Sequence, residues 1–124
     1  MNWTPQRAVI ATLAYADLFD YPLTKEELFH WLISNTDHIR QKQITTVINS
    51  VYTDGTYFLL QKSPRKIQQR KQRAIISQKK IAIASGVASI LSIIPTIEFI
   101  GLSGSVSMKN AADDDDIDLF IVIR

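Results

Sequence analysis

Gly104-Ser105-Val106-Ser107-Met108-Lys109-Asn110-Ala111-Ala112-Asp113-Asp114-Asp115-Asp116-Ile117-Asp118-Leu119 is the stretch from which the fold is read. Before it, Ile97-Glu98-Phe99-Ile100-Gly101-Leu102 is a short apolar run closed by Ser103-Gly104-Ser105. After Asp116, Ile117 to Ile123 is almost wholly β-branched or aromatic. Both runs predict buried strands, and Val106 to Ala112 leaves room for about two helical turns between them. Side chains alternate along a strand, so Asp116 and Asp118 are expected on one face, with Phe120 and Val122 continuing it. Two carboxylates fixed on rigid backbone need a counter-charge, and hard cations such as Mg²⁺ supply it, with substrate phosphates completing the shell. Gly104 lets backbone approach a phosphate, Ser105 offers a hydroxyl, and the following helix would turn free N–H groups toward an anion.

These residues resemble the nucleotidyltransferases related to DNA polymerase beta, whose signature is Gly-Ser, a gap of about a dozen residues or fewer, and Asp-x-Asp on a strand. Here the gap is the ten residues Val106 to Asp115. Two positions depart from the pattern: many members have glycine where Asn110 stands and serine where Asp115 stands. Asparagine tolerates left-handed backbone. Asp115 either raises the pKa of its neighbours or points to solvent on the opposite face. The resemblance implies Mg²⁺-dependent transfer of a nucleotidyl group from a nucleoside triphosphate to a hydroxyl acceptor. Asp116 and Asp118 would be the catalytic metal ligands for two Mg²⁺ ions, and Gly104 and Ser105 would bind the nucleotide's β/γ phosphates. Lys109 is a phosphate contact by position alone. The family places a third carboxylate on a later strand, and no acid follows Asp118 here. The chain therefore reads as the front of a longer site, inactive by itself, with its last strand an open apolar edge prone to self-association. Against this stands a solvated acidic loop, Asp113 to Asp116, leading into an ordinary strand. The order of acids and glycine does not fit an EF-hand.

The remaining sequence frames that segment. At 124 residues and 46% hydrophobic the chain has enough apolar side chain for one ordinary core or two small ones. It has no cysteine, which excludes disulfides and thiolate metal sites and is compatible with a cytoplasmic setting. No signal peptide is apparent at the N-terminus. Ile81 to Leu102 is apolar, but Pro95, Glu98 and several Ser and Gly residues interrupt it, so it reads as a buried helix and strand with no membrane partner.

Three helices and a hairpin are expected in residues 1–62. Gln6 to Leu18 has apolar residues at Ile10, Leu13, Ala14 and Leu18. Thr24 and Glu27 form a capping box, with Leu23 stapled against Leu28, and Leu28, Phe29, Leu32 and Ile33 give the second helix its core face. The third helix sets Ile44, Val47, Ile48 and Val51 against Lys42, Thr45, Thr46 and Asn49. Asp54-Gly55 then fits a hairpin turn. This is a winged-helix-like pattern, although Arg40 and Lys42 are the third helix's only cations. His30 and His38 lack zinc-site spacing, and Trp31, Tyr52, Tyr57 and Phe58 read as core aromatics.

Residues 63–80 form a basic linker helix started by Ser63-Pro64. Between Gln61 and Lys80, Lys62, Arg65, Lys66, Arg70, Lys71, Arg73, Lys79 and Lys80 occur without an intervening acid, as either a phosphate-binding flank or a solvated face. The helical pattern continues through Ile67, Ala74, Ile81, Ala82, Val87, Ala88 and Leu91, with a bend permitted at Gly86. Residues 81–124 would open the catalytic domain in a β-α-β arrangement. The whole is thus an α+β chain: a winged-helix-like module, a long linker helix and the opening of a nucleotidyltransferase mixed α/β domain. It resembles a group of prokaryotic nucleotidyltransferase-domain proteins. The acceptor, whether protein, RNA or small molecule, is left open, and nucleic acid could reach the winged helix or the basic helix. The alternative reading is a non-catalytic winged-helix module that binds nucleic acid or protein and carries a vestigial tail.

Overall fold

A computed structural model describes residues 3–34, 39 and 41–124. The fold is mixed α+β, in two compact units, residues 1–68 and 69–124. His38, Arg40 and most of the loop expected at Ser34 to Asp37 lie outside the described residues.

In the first unit, α1 (Pro5–Asp17) starts at the Thr4 cap, whose hydroxyl accepts the Arg7 N–H at 3.2 Å. Its buried face is Ala8, Val9, Thr12, Leu13 and Ala16, whereas Ile10, Ala14 and Leu18 are exposed. The sequence pattern misplaces the face because a threonine occupies an inner position. Thr12 Oγ1 donates to Ala8 O at 2.7 Å and accepts the Ile33 N–H at 2.9 Å, so its hydroxyl is satisfied without water. The helix closes with Asp20 at φ 49°, the Tyr21 N–H reaching Ala16 O and the Asp20 N–H reaching Asp17 O. That pairing is a Schellman motif built on aspartate instead of glycine.

The capping box forms as expected. Thr24 accepts the Glu27 N–H at 3.2 Å, Glu27 accepts the Thr24 N–H at 2.9 Å, and the Tyr21 hydroxyl donates to the same carboxylate at 3.1 Å. Helix α2 (Lys25–His30) is shorter than its apolar pattern suggests and ends at Trp31. Leu23 and Leu28 are buried together in the core, with Phe29 and Leu32 packed against it, while Ile33 lies near the surface. Helix α3 (Gln41–Ile48) buries Ile44 and Ile48 and leaves Lys42, Thr45, Thr46 and Asn49 exposed.

Strand β1 (Leu23–Thr24), absent from the sequence reading, pairs antiparallel with β3 (Tyr57–Leu59), which also pairs with β2 (Tyr52–Thr53). The sheet order is β1-β3-β2, with Leu23 opposite Phe58. Gly55 takes φ 98° in the hairpin turn, and Asp54 Oδ1 accepts the N–H groups of Thr56 and Tyr57. Phe58 joins the core, as expected. Trp31 instead sits at the surface, its ring 6.2 Å from that of Tyr21.

Helix α4 (Pro64–Leu91) runs 28 residues through Gly86 without a break, roughly 42 Å at 1.5 Å per residue. Ser63 accepts the Lys66 N–H at its start. The helix is long and apolar enough to cross a membrane by length and composition. Ile67 and Ala84 are buried, but Ala82, Ile83, Val87 and Ile90 are exposed, so the apolar half is not the packed helix expected.

In the second unit, β4 (Ile97–Ser103) pairs antiparallel with β5 (Asp118–Ile123). Glu98 is the extra residue of a bulge between Ile97 and Phe99, and its carboxylate accepts Arg124 Nε at 2.7 Å. Both strands were expected to be buried, yet Phe99, Phe120, Ile121 and Ile123 are exposed. A two-stranded ribbon has no neighbouring strand to shelter its edges, and among the described residues none is added.

Candidate metal and phosphate site

The connection between β4 and β5 begins with α5 (Gly104–Ser107), a single turn in place of the two expected. It closes as a second Schellman motif: the Lys109 N–H bonds Val106 O at 3.0 Å and the Asn110 N–H bonds Ser105 O at 2.9 Å. The left-handed residue is Lys109, at φ 56°, and not Asn110. One turn aligns few peptide dipoles, so little of the anion-binding N-terminus expected of a two-turn helix remains.

Strand β5 begins at Asp118, two residues later than Asp116, but exposure alternates from Asp115 through Phe120 as it would in a strand. Asp116 and Asp118 are therefore both exposed, and Asp115 faces the other way, half-buried. Neither Asp116 nor Asp118 has a side-chain hydrogen bond or ion pair among the described residues. The Asp118 carboxylate lies against Gly104, whose φ is 70°, and a Cβ there would collide with Asp118 Oδ2. The glycine thus makes room for a carboxylate of its own chain.

Ser105 is equally committed. Its hydroxyl donates to Asp115 Oδ2 at 2.7 Å, and the same oxygen accepts the Ala112 N–H at 3.0 Å. The Ser105 hydrogen bond, then that of Ala112, with Lys80 and Arg73 adding their charge, hold the Asp115 carboxyl below its ordinary range against a smaller cost of desolvation. Asp115 does face away from Asp116 and Asp118, but instead of pointing to solvent, as one of the two expectations had it, its carboxylate meets Ser105 and Ala112. With its single proton given to Asp115, Ser105 keeps no hydroxyl donor for a phosphate unless that bond opens.

Side chains of α4 hold the rest of the loop. Arg70 Nη1 donates to Lys109 O at 3.4 Å, Arg73 Nη1 to Asn110 Oδ1 at 3.2 Å, and Ser77 accepts the Ala111 N–H at 3.0 Å. Lys80 Nζ donates to Asp113 O at 2.9 Å and to Asp115 O. Arg70, Arg73, Ser77 and Lys80 are spaced 3, 4 and 3 residues apart and so form one stripe of the helix. The basic segment therefore divides: this stripe faces the loop, Lys66 pairs with Asp17 at 2.6 Å and Asp20 at 3.1 Å, and Lys62, Arg65, Lys71 and Lys79 are exposed.

Asp116 and Asp118 fit a hard cation in donor chemistry, being exposed carboxylates with no side-chain partner among the described residues. Two carboxylates leave the remaining positions to water and phosphate, the usual Mg²⁺ arrangement. No cluster of three or more His, Asp or Glu side chains suited to a metal occurs among the described residues. A cleft lined by Ser85, Ala88, Ser89, Ser92 and Ile97 to Ile100 includes neither aspartate. Sequence reasoning missed the roles of Ser77 and Asp115, though the heptad-like spacing of Arg70, Arg73, Ser77 and Lys80 was a signal for the stripe. In comparison with known proteins, no family model, curated protein or solved structure matches this chain.

Proposed function

We propose that the second unit carries the metal-binding half of a nucleotidyltransferase site. The observation that supports this most directly is the approach of the Gly-Ser turn to the acidic segment: Gly104 lies against Asp118 of Asp-x-Asp, and Ser105 is bonded to Asp115, the residue before that motif. In this reading Asp116 and Asp118 hold Mg²⁺. When bound, Mg²⁺ neutralises triphosphate charge and orients it for in-line transfer to a hydroxyl. The chain's own residues do three things. Gly104 keeps space for the Asp118 carboxylate, Asp115 and Ser105 tie the turn to the segment that leads into the strand, and Asp116 and Asp118 are both exposed on one face. In this reading the 124 residues are expected to bind a nucleoside triphosphate.

The test is Mg²⁺-dependent binding of a fluorescent nucleoside triphosphate to the full chain. Binding that is lost in Asp116→Asn and in Asp118→Asn supports the reading. Binding that survives both changes, or never occurs, removes it.

The first unit supports a winged-helix reading through its element order α1-β1-α2-α3-β2-β3 and its sheet order β1-β3-β2. The exposed polar face of α3, with Lys42, Thr45, Thr46 and Asn49, favours the alternative function, a nucleic-acid or protein-interaction module. Salt-sensitive duplex binding unchanged by Asp116→Asn and Asp118→Asn would select that alternative. In either case we place the chain in the cytoplasm, with α4 outside the bilayer because its charged stripe is engaged by the loop.

A further inference from the structure

We propose that Lys80 and Ser77 are positioning residues that fix the Asp116/Asp118 pair from α4 without touching its cation; this rests on the metal-site reading above. The loop 109–115 has little regular structure to hold it. Between the single turn α5 and strand β5, its backbone is tied down chiefly by groups outside itself. Ala111 is wholly buried and gives its N–H to Ser77, which is also wholly buried. Lys80 binds the carbonyls of Asp113 and Asp115 together, and Asp115 O is the backbone atom immediately before Asp116. On its side-chain end Asp115 is held by Ser105 and Ala112. The residue preceding the metal pair is thus pinned at its carbonyl by the helix and at its carboxylate by the Gly-Ser turn.

A cation site made of two carboxylates loses affinity when their separation fluctuates, because each ligand must then be ordered on binding. Charge alone acts in the other direction. Removing the positive Lys80 beside a cation site lessens repulsion and would strengthen cation binding. The sign of the effect therefore separates positioning from simple electrostatics.

The probe is Mn²⁺ alone, titrated into the full chain and followed by the EPR signal of the free ion, with amide exchange of peptides covering 104–118 read by mass spectrometry. Lys80→Met and Ser77→Ala are each expected to weaken Mn²⁺ binding about tenfold, the scale of outer-shell losses. Exchange across 109–116 should accelerate while the helical circular dichroism is kept, and Lys80→Arg should restore most of the affinity. Mn²⁺ binding that is unchanged or tighter in Lys80→Met, or unchanged in Ser77→Ala, overturns the inference and leaves the metal site standing. Wild-type Mn²⁺ binding that is absent, or that persists in the Asp116→Asn, Asp118→Asn double variant, overturns the metal-site reading itself and this inference with it.

Discussion

The Asp118 carboxylate occupies the space beside the Gly104 Cα where any other residue would place its Cβ. Gly104 also has φ 70°, so two independent constraints disfavour a side chain there. Gly104→Ala should destabilise the second unit by about 1–3 kcal/mol and push Asp118 aside. Thermal unfolding checks the first effect, and a matching loss of Mn²⁺ affinity checks the second.

Lys109 bears the left-handed position of its Schellman motif without being glycine. Lys109→Gly should raise stability by about 1 kcal/mol, because the steric cost of a Cβ in that conformation exceeds the extra unfolded-chain entropy of glycine. Its carbonyl still accepts Arg70, so the loop should keep its place. A rise in the unfolding midpoint, with unchanged amide exchange in 109–116, is the expected result.

In the first unit the reciprocal bonds of Thr24 and Glu27 satisfy two N–H groups at the start of α2. Thr24→Ala should cost about 1 kcal/mol in urea unfolding. Glu27→Ala should cost more than Thr24→Ala, since it also removes the Tyr21 hydroxyl's hydrogen bond to this carboxylate.

Lys66 is held above the ordinary lysine value of 10.5 by its hydrogen bonds to Asp17 and then Asp20. A raised folded-state pKa means the stabilisation is fully present below the unfolded value and disappears as pH climbs through the folded one. The stability difference between wild type and Lys66→Met should be small and constant from neutrality to about pH 9, then shrink above the ordinary lysine pKa. Paired denaturation curves across that range test the sign, and a difference that grows with pH would contradict it.

Strand β5 carries exposed Phe120, Ile121 and Ile123 on a ribbon with unpaired edges. The full chain should associate at micromolar concentration, and Ile121→Lys should reduce light scattering by placing a charge on the strand.

Features set by neighbouring residues could be read from the sequence. The Thr24 capping box, the Asp54-Gly55 turn, the Ser63-Pro64 helix start and the closeness of Gly-Ser to Asp-x-Asp all depend on short-range geometry. Features set by distant partners could not. Strand β1 is two residues long and exists only because β3 lies beside it. The inner face of α1 was misplaced because Thr12 is buried, its hydroxyl satisfied in part by the Ile33 N–H, 21 residues on. The basic segment read as either a phosphate-binding flank or a solvated face, and neither reading found the stripe, because its acceptors are largely backbone carbonyls, which every residue has and no sequence marks. The exposed strands of the second unit were expected to be buried because apolar composition reports what a surface prefers to touch, not whether anything touches it.

The unbroken helix α4 also acts as a ruler. Each residue turns the helix by about 100° and advances it 1.5 Å, so one inserted residue between Arg73 and Ser77 would carry Ser77 and Lys80 to another side of the cylinder. Substitutions along its outer face should be tolerated widely, while changes of length inside the stripe should be tolerated only near whole multiples of seven.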